Sequence, residues 1–427
     1  MKKILLITNY FTPCTLTPSQ RITFWAKNMH QLGYYPTVVT REWSAETRSH
    51  RDIKQELGDR IRHEVFDSYE VYYLPFRPGI LDKAYLRFGE SALRPFFLMV
   101  KLLDVFLVRF TLRYTSFANF LPFINKLVNE KSFDTSIISG EPFYLFRIGY
   151  FLKKEVGLKW IADYRDDWST NELQVLRRGS GVRKWIAKVE SGYEKKWVGT
   201  ASAISSVSKV YTDRIAGFLG NKGITIENGF EEELLELKPQ PLFAEFTIVY
   251  SGVLYPAQDI AVILGALQLA KNAGIPFRLL FLGAGYDVKE KIRIDEMVPS
   301  GLKQYVNVTD RLPRVDALVE LQKSHAFLAM AYGNMKGIPS SKLYEYMALG
   351  KPVLLCPSDG DIMEQMVTDV GLGFIANSVE ECFEQIKRLR DDYETGRIEA
   401  LKELSKSKIG KYSRFSQLQK IKEVLGE

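Results

Sequence analysis

Short apolar runs alternate with amphipathic stretches along almost the whole chain. Lys3 to Thr8, Pro36 to Thr40, Val71 to Pro75, Asp134 to Ser139, Leu158 to Asp163, Ala203 to Ser208 and Ile224 to Ile226 read as strands. Helical patterns fall between them, as at Ser19 to Leu32, where Ser19 is the expected cap and Gly33 the stop. Strand and helix signals in alternation predict a parallel sheet with helices on both faces. The pattern restarts after a linker at Glu231 to Phe243, which carries Pro239 and Pro241. Phe246 to Gly252, Phe277 to Leu282, Val306 to Pro313 and His325 to Tyr332 read as strands or strands with their loops, and Asp259 to Ala273 as a helix. A chain of 427 residues is also too long for one typical core. The expected fold class is α/β, with two parallel-sheet domains at 1–235 and 236–410 and a terminal amphipathic helix at about 411–427.

Three stretches depart from the alternation. Residues 42 to 68 are polar and irregular. Gly181 to Val198 is a basic amphipathic helix whose Trp185, Ile186, Val189, Tyr193 and Trp197 fit a core-facing stripe. Residues 84–128 are rich in Phe, Leu, Tyr, Arg and Lys, but Lys101, Asp104 and Arg109 interrupt any charge-free run long enough to span a bilayer. Aromatic and basic residues together suit a helix lying on a membrane surface. They equally suit helices packed on the N-terminal sheet, and the two readings fit different faces of one segment.

Composition adds limits. The net charge of +7 permits phosphorylated substrates, anionic lipid or nucleic acid without choosing among them. Cys14, Cys356 and Cys382 are far apart, as expected of reduced thiols in a cytosol. The four histidines show no metal-ligand spacing, and no metal is expected. Met1 to Thr8 reads as a buried first strand and not as a secretory signal.

Candidate chemistry concentrates where predicted strands end, because open α/β sheets bind ligands at the carboxyl ends of their strands. The long loop from Asn9 to Arg21 follows the first strand and offers Thr12, Ser19 and Arg21. Gly140-Glu141 follows the 134–139 strand. Asp163, Arg165 and Asp166 crowd the end of the 158–163 strand, either as site groups or as a salt-bridge knot that fixes the loop. Gly252, Gly283 and Gly285 mark turns that let backbone approach a ligand. Asp359 and Asp361 resemble a metal pair, but Asp361 reads better as a helix cap. Gly337 to Leu355 reads as a helix, opened by Pro339 and capped by Ser340 or Ser341, then a stop at Gly350 and a strand. Its start offers backbone N–H groups to an anion, with Lys342 adding charge and Glu345 one turn on. By itself this stretch also fits an ordinary capped helix with a solvated Glu.

The 337–355 stretch resembles the nucleotide-sugar motif of retaining glycosyltransferases of family 4, which have the GT-B fold: two Rossmann-like domains whose parallel sheets face across a cleft. Glu345 matches the second Glu of that family's Glu-x7-Glu pair, and the first falls at Gly337. The subgroup is of the bacterial surface-polysaccharide type. It carries Pro-x-x-Lys-x-x-Glu-Tyr, met here at Pro339, Lys342, Glu345 and Tyr346, and Asp-x-Arg-Asp-x-Trp, met at Asp163, Arg165, Asp166 and Trp168. Asn228-Gly229-Phe230 matches the family's exit from its N-terminal domain, and the terminal helix is expected to pack back on that domain.

The resemblance implies a hexosyltransferase-type enzyme whose donor is a UDP- or GDP-linked sugar, with no further cofactor. Glu345 would hold the donor ribose. Lys342, Ser340, Ser341, Gly252, Gly283 and Gly285 would meet its phosphates and Leu312 its base. The basic residues that normally follow the Gly252 turn are absent, which leaves more to Lys342. Asp163, Arg165 and Asp166 would orient the acceptor hydroxyl or brace the cleft. Glu141 would be a polar active-site group near the place where the family often carries a His that this chain lacks, and Thr12, Ser19 and Arg21 would face the acceptor. The expected partners are a lipid-linked saccharide and a membrane surface touched by residues 84–128, with no nucleic acid. The expected place is the cytoplasm, at the inner face of the cell membrane. Two other readings remain: a GT-B nucleotide-sugar epimerase, or a catalytically silent scaffold that binds nucleotide or lipid.

Overall fold

Ile4 to Ile7 are fully buried in the first strand, β1 (Lys2–Ile7), because helices cover both faces of the sheet it belongs to. The computed structural model describes residues 1–47, 50–89, 94–170 and 181–426. The chain divides into two units, Met1–Glu227 with Leu418–Glu427, and Asn228–Gln417.

The first unit holds an eight-stranded sheet. Its strands are β1, β2 (Tyr34–Arg41), β3 (Arg62–Val65), β4 (Glu70–Leu74), β5 (Thr135–Ser139), β6 (Trp160–Tyr164), β7 (Ala203–Ser206) and β8 (Gly223–Thr225). Their order is β3-β4-β2-β1-β5-β6-β7-β8. All pairings are parallel except that of β3 with β4. β3 lies in the stretch expected to be irregular. Its sequence, Arg-His-Glu-Val, carries no apolar alternation because it is an edge strand, where charged side chains suit the solvated rim.

The second unit holds a six-stranded parallel sheet, ordered β11-β10-β9-β12-β13-β14. Its strands are β9 (Thr247–Ser251), β10 (Arg278–Leu282), β11 (Val306–Val308), β12 (Ala326–Ala329), β13 (Val353–Leu355) and β14 (Gly373–Ile375). Helix Ala261–Asn272 buries Ile263, Leu264, Ala266, Leu267 and Ala270, the 3.6-residue face its sequence shows, in one core with Cys382, Ile386 and Leu389. Two parallel-sheet α/β units are the fold class the alternation predicts.

The strand orders locate two crevices. In each sheet the chain leaves a central strand in one direction and later returns to its other side. That switch falls between β1 and β5 in the first unit and between β9 and β12 in the second. Loops part at such points and leave a crevice over the carboxyl ends of the strands.

Several expected helix ends are corrected. The first helix spans Thr17–Asn28, so Ser19 lies inside its first turn and is no cap. The buried Ser19 hydroxyl donates to the carbonyls of Cys14 and Leu16. The helix after β12 spans Ser341–Ala348, which leaves Pro339 outside and Ser340 at the cap position without a side-chain cap bond. Asp361 precedes helix Ile362–Val370 but makes no cap bond, and Asp359 does that work by accepting the N–H groups of Met363 and Glu364. The terminal amphipathic stretch is two short helices, Arg414–Gln419 and Ile421–Leu425.

The basic aromatic segment forms helices Ile80–Phe88, Arg94–Val108 and Phe120–Glu130, and its residues 90–93 lie outside the described ones. Helix Arg94–Val108 has two apolar faces. Val100, Val105 and Val108 are buried, and the Val105 carbonyl accepts the Tyr193 hydroxyl of helix Gly181–Val198 at 2.9 Å. Met99, Leu103 and Phe106, with Phe110 just beyond, are 59%, 47%, 51% and 61% exposed at successive steps of four, three and four residues. Trp185 was expected in the core, but it is 46% exposed while Ile186, Tyr193 and Trp197 of the same helix are buried. Among the described residues no helix is long and apolar enough to cross a membrane.

Candidate functional site

Each unit gathers polar groups at its own switch point. In the first, the Asp163-Tyr164-Arg165-Asp166-Asp167 run alternates in role. Asp163, one residue before the end of β6, is fully buried and accepts the Arg21 guanidinium through Nη2 at 2.8 Å and Nε at 3.2 Å. It also accepts the Ser139 and Ser205 hydroxyls at 3.0 and 2.8 Å, and its carbonyl accepts the Gly140 N–H. Arg21, equally buried, donates Nη1 to the Ile226 carbonyl at 2.7 Å. One ion pair thus ties the first helix to the ends of β5, β6, β7 and β8. Asp163, Arg21 and Ser19 are all turned inward and bonded to the chain itself, the arrangement of a salt-bridge knot that fixes the loop. Thr12 stays half-buried in the loop after β1, with its N–H on the Thr23 hydroxyl. Asp167 is also buried and pairs with Arg214 at 2.9 Å.

Glu141, Arg165 and Asp166 remain at the surface of this crevice. Arg165 donates to Glu141 at 2.9 Å, and Asp166 is exposed. Glu141 sits at φ 67°, a conformation that costs a non-glycine residue energy and is found at sites where geometry matters. Burial first, and then the neighbouring Asp166, push its carboxyl up to about 7 against the opposing pull of Arg165. A hydrogen bond between the two carboxyl groups needs a shared proton, so the pair can both hold and accept one. Tyr10, which follows β1, is stacked on Trp43 with centroids 5.3 Å apart and lies in the field of Glu141 and Arg165. Sequence reasoning marked its loop without naming Tyr10. A lone tyrosine in a polar loop gives no signal until β1 and β5 are known to be neighbours.

In the second unit, Gly252 follows β9 and Gly283 follows β10, with φ of 77° and 81°. Both φ values lie where side chains are disfavoured, so glycine lets the two strands turn away while their backbones stay close. The Gly252 N–H meets the Leu282 carbonyl at 2.7 Å, and the Gly283 N–H the Thr309 hydroxyl at 2.9 Å. Gly285 differs. A side chain there would fall 2.8 Å from Asp310 Oδ1 and 2.9 Å from the Thr309 carbonyl, so what it admits is the chain's own loop. Leu312, in that loop, packs partly buried against the core cluster that includes Leu282 and Leu343.

Helix Ser341–Ala348 brings its side chains to these turns. Its Leu343, Tyr344, Tyr346 and Met347 are buried, and the Tyr346 hydroxyl accepts the Ser251 N–H at 2.8 Å, pinning the helix to the end of β9. Lys342 then lies along the Gly252 turn. Its ammonium donates to the Tyr250 hydroxyl at 2.5 Å and the Val253 carbonyl at 2.8 Å, with the Tyr250 ring 4.2 Å away. Neither of these acceptors is a carboxylate. Burial of the ammonium lowers it to about 7. Ser340 is hydrogen-bonded to Tyr332, and Ser341 is exposed at the helix start. One turn on, Glu345 is largely buried and ion-paired to Arg314, the first residue of helix Arg314–Gln322. Burial raises its carboxyl, while Arg314 and Arg414 pull it down. Arg314 was missed, although an arginine in a first helical turn opposes the helix dipole and so signals a partner elsewhere. Among the described residues no group of three or more His, Cys, Asp or Glu side chains is placed to hold a metal ion.

Residues 245–392 match the family model for group 1 glycosyl transferases. Solved structures share the whole fold at low identity. The sucrose-phosphate synthase of Thermosynechococcus elongatus aligns with a TM-score of 0.64 at 12% identity, over 99% of this chain and 98% of that one. A glycosyltransferase from Rickettsia africae gives 0.62 at 14% identity over 99% of both chains. HepE of Anabaena, solved in complex with UDP, gives 0.58 at 15% identity over the full length of both. No curated protein matches the sequence. Residues 245–392 therefore form a group 1 glycosyltransferase domain, in a chain that shares its fold with these solved glycosyltransferases. The domain match contains Gly252, Gly283, Lys342 and Glu345, the residues gathered at the second switch point.

Proposed function

We propose that this protein is a retaining glycosyltransferase that moves a sugar from a UDP- or GDP-linked donor to a lipid-linked saccharide, in cell-surface polysaccharide synthesis. The observation that carries the donor half is Lys342, a desolvated ammonium whose two bonded acceptors are uncharged, set beside the Gly252 turn. A diphosphate supplies the counter-charge it lacks. The Ser341 and Lys342 amides at the start of helix Ser341–Ala348 add to the same anion site, while that of Leu343 donates to the Ser340 carbonyl at 3.0 Å. Glu345 stands one turn further, where a carboxylate accepts the two hydroxyls of a ribose.

In the reaction the bond from the sugar's anomeric carbon to the diphosphate breaks, the acceptor oxygen bonds to that carbon from the same face, and the acceptor's hydroxyl proton passes to the departing diphosphate oxygen. Lys342 and the helix amides stabilise the charge that gathers on the departing diphosphate. Arg165, Asp166 and Glu141 hold the acceptor hydroxyl, consistent with their place over the first switch point. HepE, whose structure was solved with UDP, offers a parallel for the donor class.

A thermal-shift panel of UDP, GDP, ADP and their sugar conjugates tests the donor site. At about 100 times its dissociation constant, the matching nucleotide should stabilise the wild type by roughly 2.7 kcal/mol. Glu345→Ala should abolish the shift. No shift with any nucleotide would favour a silent scaffold, and product formed from donor alone would favour an epimerase.

The lipid half rests on the exposed face of helix Arg94–Val108. Met99, Leu103, Phe106 and Phe110 form one apolar stripe, and Trp185 with Lys184 and Lys188 is exposed on the helix packed against it. Apolar side chains rimmed by lysines match an anionic bilayer surface. The enzyme would then sit peripherally at the inner face of the cell membrane. Wild type should float with phosphatidylglycerol vesicles and lose most of that binding in Phe106→Glu/Phe110→Glu. Equal flotation of both proteins would remove this part of the reading.

A further inference from the structure

We propose that Arg314 is a positioning residue of the donor site, whose guanidinium keeps the Glu345 carboxylate ionised and aimed for the two hydroxyls of a ribose. The inference rests on the donor reading above and assigns a residue that no sequence motif marks.

The pair is lopsided. The Arg314 side chain is 58% exposed and the Glu345 side chain 16%, so the arginine reaches in from solvent to a carboxylate fixed on a buried helix. Arg314 also follows Pro313 as the first residue of its helix, where the dipole disfavours a cation. The carboxylate offsets that cost. The charged and titratable groups facing Glu345 come from four segments: Arg314 from helix Arg314–Gln322, Arg414 from the start of helix Arg414–Gln419, Glu231 from the chain entering the second unit, and Tyr346 beside it on its own helix. Arg414 is already committed, through Nη1 to Glu231 and Nε to the Gly229 carbonyl. Glu231 pushes the Glu345 carboxyl up. Arg314 is thus the cation that answers to Glu345 itself.

The chemistry makes ionisation matter. An ionised carboxylate has about four lone-pair sites, enough for one guanidinium and two ribose hydroxyls. A protonated one turns an acceptor oxygen into a donor, and one hydroxyl of the diol loses its partner. Burial favours the protonated form, and Arg314 is the largest influence opposing it.

The test is calorimetric titration of UDP and of GDP into wild type, Arg314→Gln, Arg314→Lys and Glu345→Ala between pH 5.5 and 9. Arg314→Gln should move the acid limb of binding up by about one unit, so that its loss grows toward acid pH to at most about tenfold and fades at the alkaline end of the range. Arg314→Lys keeps a cation and should stay close to wild type throughout. The alkaline limb, set by Lys342, should not move. An equal loss at every pH would mark Arg314 as structural only, and no loss at any pH would remove its role altogether. Either outcome overturns the inference while Glu345→Ala still abolishes binding. If Glu345→Ala leaves binding intact, or neither nucleotide binds the wild type, the donor reading itself fails and this inference falls with it.

Discussion

Asp163→Asn should lower the stability of the first unit by about 3–5 kcal/mol, the scale expected when one member of a buried ion pair is removed. Arg21 is 5% exposed and would keep its charge with no carboxylate to meet it. The Ser139 and Ser205 hydroxyls would each trade an ionised acceptor for a neutral one. The cost arises from desolvation and not from the pair's own attraction. The double variant Arg21→Met/Asp163→Leu removes both charges and should therefore cost less than the sum of the single ones. Urea unfolding followed by near-ultraviolet circular dichroism reads this, with two transitions allowed for because the chain has two units. If Asp163→Asn keeps wild-type stability yet loses turnover, Asp163 acts on substrate and the bracing role assigned to it is wrong.

Lys342→Met should cut kcat/KM by 10²- to 10³-fold, the range for losing one preorganised group that stabilises charge in the transition state. It should also raise the stability of the ligand-free protein, by on the order of 1 kcal/mol. In the folded protein the ammonium is lowered to about 7 by burial, against 10.5 when unfolded. Between those values the unfolded chain holds a proton that the folded one lacks, so the stability of the wild type rises with pH across that window. Near pH 7 a folded lysine of this kind is a liability, and methionine removes it. A bound diphosphate reverses the balance by favouring the ammonium. Nucleotide affinity in the wild type should then fall as pH rises above about 7, and that fall should vanish in Lys342→Met. A variant that loses activity with unchanged nucleotide affinity and an unchanged pH profile would place Lys342 outside the diphosphate site.

The two predictions separate what the sequence states from what it leaves open. The 163–167 run announces that charge is massed at a strand end, but it does not say which carboxylates face out. Asp163 and Asp167 turn inward because Arg21 and Arg214 reach them from helices distant in sequence. Asp166 and Arg165 stay at the surface beside Glu141, which a different strand delivers. The Lys342-x-x-Glu345 spacing marks one helical face by itself. That Tyr250 and Val253 flank the lysine, and Arg314 the glutamate, depends on β9 and β11 lying in one sheet with β12.

The sequence alone determined the α/β class, the restart near residue 245, most strands and the glycine turns at 252 and 283. These are set by local periodicity and by backbone conformations that few residues adopt, so each is written in a short window. The tertiary structure alone decided the edge strand β3, the two faces of helix Arg94–Val108 and the inward turn of Asp163. It also decided the partners of Lys342 and Glu345. Burial, ion pairing and shifted proton affinities depend on what distant segments bring within a few ångströms, and no window of sequence contains both sides of such a contact.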